Sequence, residues 1–139
     1  MFATKLKLTL GTLTLAMTSL TMTASAEDAD VYFISPADGS TVSSPVKVQF
    51  GLTGMGVAPA GVERSNTGHH HLLIDVDTPP APGQTIPSDE NHRHFGGGQT
   101  ETTLELSPGT HTLQLLVGDH LHRPHATPVM SEKISITVE

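Results

Sequence analysis

Three His-x-His pairs carry the strongest chemical signal in this sequence: His69-His70-His71, His92-Arg93-His94 and His120-Leu121-His122, with His125 close behind. On a β-strand, residues i and i+2 point to the same side, about 6.5–7 Å apart along the chain. Two imidazoles at that spacing can converge on one ion through bonds of roughly 2.0–2.1 Å. His69, His71, His92, His94, His120, His122 and His125 are therefore the candidate ligands of a transition-metal site. His70 falls in phase with Leu72, Ile74 and Val76, so it is expected to pack or hydrogen-bond rather than ligate. His111 stands alone, as structural hydrogen-bonding histidines commonly do.

The chain has no cysteine, so nitrogen, oxygen or methionine sulfur must hold any ion. Blue-copper chemistry, which needs a thiolate, is excluded. Neutral imidazole suits copper, zinc, nickel and iron, and affinity in nitrogen sites peaks at Cu(II); copper is expected first and zinc second. Met55 and Met130 could each add a thioether that favours Cu(I). Asp75, Asp77, Asp89, Glu90 and Asp119 lie near histidines in sequence and are candidate acceptors for ring N–H groups, Asp119 above the others. Binding is expected to weaken below about pH 6 as protons compete for imidazole.

Positioning these residues falls to strands. Val31–Ile34, Val46–Leu52, His70–Val76, Thr102–Leu106, Thr110–Val117 and Lys133–Val138 alternate apolar and polar residues, separated by Gly, Pro, Asp and Asn. The pattern predicts an all-β fold, an immunoglobulin-like two-sheet β-sandwich of about seven strands. The phase of Leu72, Ile74 and Val76 puts His69 and His71 on the face away from the core. In such a sandwich the start of the His69 strand and the end of the His111–Val117 strand share a pole. The loop carrying His92 and His94 is expected to close over it. Residues 54–68 and 78–98 read as long connections without apolar period, and long loops in compact domains usually serve function.

Residues 1–26 read as a secretory signal peptide. Lys5 and Lys7 precede an apolar stretch from Leu8 to Met22, and Ala24-Ser25-Ala26 supplies small residues for cleavage. The expected product is a single domain, residues 27–139, periplasmic or secreted and monomeric. It carries fourteen acidic and five basic residues, a formal charge of −9 with neutral histidines. Such a surface repels nucleic acid and anionic membranes, whereas a metal ion is a natural partner. No nucleophile elbow, phosphate loop or dinucleotide fingerprint occurs. Gly96-Gly97-Gly98 lacks the lysine and helix of a phosphate site and instead lets the chain turn sharply.

Three segments, TGHHHLLIDVD, ENHRHFGGGQTE and LLVGDHLHRPH, resemble a family of small bacterial exported proteins that carry a domain of unknown function. The resemblance spans Val31 to Glu139 and implies that these histidines define the domain; it brings no activity with it. From the residues alone, the expected function is a periplasmic histidine-rich metal-binding protein, a copper carrier, buffer or resistance factor. Two alternatives stand beside it. One is a metalloenzyme with a three-His zinc or copper site and Glu90 or Glu101 as base. The other is a structural or adhesion-like module with a histidine hydrogen-bond network.

Overall fold

The computed structural model describes residues 29–139; the leader expected at residues 1–26 lies outside them. The strands are β1 (Asp30–Ser35), β2 (Thr41–Val42), β3 (Val46–Thr53), β4 (Gly56–Val57), β5 (Thr67–Ile74), β6 (His92–His94), β7 (Glu101–Leu104), β8 (Gly109–Gly118) and β9 (Ile134–Val138). One sheet runs β1-β3-β7. The other runs β2-β9-β8-β5-β4, with β6 also paired to β5.

Period-two alternation explains the sandwich. Val46, Val48 and Phe50 of β3 meet Leu113, Leu115 and Val117 of β8 and Ile134, Ile136 and Val138 of β9 in one buried cluster, which Val31, Leu72, Ile74 and Leu104 complete. The intervening residues of β9, Ser135 and Thr137, face solvent. A sheet wetted on one side reads this way.

β5 departs from the pattern because both of its faces are covered. Seven of its eight residues are buried. The inner face carries His70, Leu72 and Ile74; the outer carries His69, His71 and Leu73. Across the outer face lies the segment between β5 and β6, whose Ile86 packs with Leu73 and Leu116 in a second small cluster. Backbone and side-chain bonds hold that segment down. The Ile86 N–H donates to the His122 carbonyl at 2.7 Å, Asn91 Nδ2 donates to the Ile74 carbonyl at 2.9 Å, and Lys133 Nζ donates to the Val76 carbonyl at 2.8 Å.

Three details differ from the sequence reading. The connection expected between Thr78 and Gly98 contains β6, and it delivers Ile86 and Phe95 to buried positions. Val76, expected on the core face with Ile74, turns instead to the outer cluster, because the strand ends at Ile74 and Asp75 takes a left-handed φ of 55°. Among the described residues there are nine strands rather than about seven, and β2, β4 and β6 are short additions to the expected set.

The free edge of β5 is capped in two parts. β4 runs parallel to its beginning, Gly56 opposite Thr67 and Val57 opposite Gly68. β6 runs antiparallel further on, with His94 opposite His71 and His92 opposite Leu73. On the other edge β8 pairs antiparallel, with His69 opposite Gly118 and His71 opposite Leu116. This register brings the start of β5 and the end of β8 to one pole.

Candidate metal centre

Four imidazoles converge on the outer face of the larger sheet at that pole. His69 and His71 come from β5, two residues apart on one face. His94 comes from β6 directly opposite His71, and His122 from the turn that follows β8. One ring nitrogen from each lies within 4.8 Å of those of all the others. His69 Nε2 is 3.0 Å from His71 Nε2 and 3.1 Å from His122 Nδ1. The His94 and His122 rings pack edge to face, their centroids 4.5 Å apart.

The spacing fits a shared cation. Two nitrogens each about 2.0–2.1 Å from one ion lie roughly 2.8–3.4 Å apart for bond angles between square and tetrahedral. Hydrogen bonding alone serves this cluster poorly, because a ring nitrogen carries either one hydrogen or one lone pair. His69 Nε2, with two ring nitrogens near 3 Å, can align with only one of them. The set is neutral nitrogen throughout, which suits a divalent transition ion of borderline softness.

Depth divides the four. His69 and His71 are fully buried, His122 is half-buried and His94 is exposed. A cavity of about 320 Å³ opens beside His71, His94 and His122, its far wall formed by Thr85, Ile86, Pro87 and Ser88. Burial and the neighbouring rings disfavour charge on His69, His71 and His94. Burial pushes His71 down to about 3, helped by the like charges that His69, His94 and His122 would carry. His69 is pushed down to about 4, again chiefly by burial, with Asp119 pulling weakly the other way. His94 is lowered by its own partial burial and by His122. Neutral imidazole is the ligating form, so the fold holds these residues ready to coordinate.

The local sequence builds the approach. Gly118 and Gly96 stand where a β-carbon would press on ring atoms, 2.7 Å from His71 Nε2 at Gly118 and against His94 Cε1 at Gly96. His122 takes a left-handed φ of 60°, a conformation in which histidine is over-represented. Asp119 imposes that turn. Its Oδ1 accepts the Leu121 N–H at 2.8 Å and the Arg123 N–H at 3.0 Å, while its carbonyl accepts the His122 N–H at 3.0 Å. Asp119 thus shapes the backbone under His122 rather than accepting an imidazole N–H, the part expected of it from sequence.

The other histidines stand apart. His92 shares its face of β6 with His94 but lies two rungs further on, against Leu73, and its Nδ1 is 2.8 Å from Asp89 Oδ1. His120 points elsewhere, lining a surface hollow with Asp119 and Arg64. His125 sits over Gly68, its Nε2 buried. His70 packs on Phe50 in the core, ring centroids 4.8 Å apart, with neither nitrogen partnered. His111 is clasped by Asp75, Nδ1 to Oδ2 at 2.7 Å. Met55 and Met130 line neither the four-His cluster nor its cavity, so neither thioether joins this centre. Among the described residues, the Nδ1 atoms of His69 and His71 have no hydrogen-bond partner, so the carboxylate support usual behind ligating histidines is missing there.

Comparison with known proteins adds little chemistry. No curated protein matches the chain. Among solved structures it is similar to the endo-beta-1,4-mannanase from Thermotoga petrophila, at 17% identity and a TM-score of 0.47 over 81% of this chain and 20% of that one. The chain thus spans about a fifth of that enzyme's length, and the likeness carries nothing about activity. The family described as Domain of unknown function (DUF4399) matches residues 48–139, a span that includes all nine histidines, and the chain belongs to that family.

Proposed function

We propose that the protein binds one divalent transition ion through His69, His71, His94 and His122 and serves as an exported metal carrier or buffer, with copper as the first choice of ion and zinc the second. The observation that carries this reading is the convergence of four ring nitrogens within 4.8 Å, two at depth and two toward the surface. Graded depth favours exchange over permanent storage. An ion can leave His94 and His122 stepwise toward an incoming ligand while His69 and His71 still hold it, and no strand need open. The missing carboxylate support behind His69 and His71 points the same way, since loss of such partners typically weakens metal binding 10–100-fold. Copper precedes zinc because nitrogen sites bind Cu(II) most tightly among the divalent ions.

The cavity beside the centre gives the metalloenzyme alternative its one support. Its walls, however, hold no carboxylate to act as base. Glu101, a candidate base from sequence, lies on the other sheet, where it accepts from Gln49 Nε2 at 2.9 Å. The carrier reading is tested by competition between the protein and a chromophoric chelator. Carrier behaviour requires one tight equivalent that a small imidazole or amino-acid ligand removes within minutes; an ion that resists such transfer for hours would mean a structural centre.

A further inference from the structure

We propose that the cavity beside the four imidazoles binds a small aliphatic monocarboxylate, which coordinates the metal ion as an exogenous anionic ligand. The inference rests on the four-His reading above and names the class of ligand that site takes up.

Position is the first argument. The cavity of about 320 Å³ is lined by His71, His94 and His122 but not by His69, although His69 Nε2 lies 3.0 Å from His71 Nε2 and 3.1 Å from His122 Nδ1. The cavity therefore adjoins the cluster on the side away from His69. A ligating nitrogen is presented there. A β-carbon built on Gly118 would sit 2.7 Å from His71 Nε2 and 3.3 Å from Ile86 Cδ1, so that nitrogen and the apolar wall flank the same small space. The wall is tied to a second ligand residue, since the Ile86 N–H donates to the His122 carbonyl at 2.7 Å.

Charge selects an anion. Four imidazoles bring no negative charge, so a divalent ion held by them keeps both positive charges in a largely buried site, where uncompensated charge is costly. None of the residues lining the cavity is acidic. Asp119 acts on His69 from nearby, but its Oδ1 is committed to the Leu121 and Arg123 N–H groups. An anion in the cavity offsets the charge at the ion itself, and close to the ion that attraction outweighs the acidity of the chain as a whole.

The walls choose among anions. Thr85 and Ser88 carry hydroxyl groups, Ile86 and Pro87 give apolar surface, and no lysine or arginine is present to hold a second carboxylate. A halide would leave the apolar wall unused, and a dicarboxylate would bring a second negative charge without a partner. A monocarboxylate with a short alkyl chain suits both parts of the lining.

The test loads the full chain with one equivalent of Cu(II), checks the loading by elemental analysis, and titrates butyrate and acetate separately while following the copper d–d absorption. Butyrate should shift the band saturably and bind about tenfold tighter than acetate, as two further buried methylenes require. The metal-free chain should bind neither acid. Thr85→Trp, an exposed wall position outside the ligand set, should abolish the preference for butyrate and leave copper affinity intact. Equal affinities for the two acids, or a copper-loaded chain whose spectrum ignores butyrate, overturn the proposal. A chain that takes up no copper overturns the four-His reading and this inference with it, and the elemental analysis separates that outcome from the others.

Discussion

His71 is fully buried and adjoins His69 on its own strand, His94 across the ladder and Gly118 on β8. His71→Ala and His122→Ala should each lower affinity for Zn(II) or Cu(II) by at least 100-fold, while His92→Ala and His120→Ala change it less than threefold; calorimetric titration of the four variants checks this. Burial also shifts the acid limit of binding. An exposed imidazole begins losing metal to protons below about pH 6, but His71 is held down at about 3 and His69 at about 4. Binding should therefore fall off less steeply between pH 6 and pH 4 than at a site of exposed imidazoles, as a competition assay across that range would show. His70 invites the opposite substitution. Both of its nitrogens are buried against Phe50 without partners, so His70→Leu should leave metal affinity unchanged and raise stability by about 1 kcal/mol in denaturant unfolding.

At the scale of elements, β5 works because something covers its outer face. Ile86, with Val76 packed alongside, is the buried apolar residue by which the β5–β6 segment reaches Leu73 and Leu116, and Ile86→Ala should cost about 2–4 kcal/mol and speed amide exchange along residues 76–91. The clasp of His111 by Asp75 fixes the turn just after β5. Its hydrogen bond to Asp75 raises the His111 pKa above the ordinary 6.5. The clasp thus stabilises the fold fully below about pH 6.5 and fades as the pH rises through the raised value. His111→Gln should abolish that part of the pH profile.

These elements also mark what the sequence could and could not tell. The main strands were legible because their alternation is set by one wet and one buried face. β6 was not: three polar residues, His92-Arg93-His94, have no apolar period, and they form a strand only because β5 offers an unpaired edge. Spacing marks His69 and His71 as a pair. It cannot choose between His92 and His94, which share a face; the register opposite His71 makes that choice. Nor can it place His122 inward and His120 outward, since that depends on the left-handed turn held by Asp119. Ile86, alone in a run of Pro, Gly and polar residues, gives no periodic signal of the surface it covers.

For the whole molecule, acid should act mainly through the buried rings. His69, His70 and His71 have folded pKa values of about 4, 4 and 3, below the ordinary 6.5. The unfolded chain then binds protons that the folded one refuses, so metal-free stability should be complete above about pH 6.5 and decline from there toward pH 4. Bound metal should oppose that decline, because a ligand at 100 times its dissociation constant adds about 2.7 kcal/mol. The most direct measurement is a titration of the metal-free chain with Cu(II) and Zn(II), in which bound stoichiometry and histidine ring nitrogen shifts are followed together. The account predicts one tight equivalent, competition between the two ions for it, and shifts at His69, His71, His94 and His122 but not at His92 or His120. Absence of a tight equivalent, or binding that leaves the His69 and His71 signals in place, would contradict it.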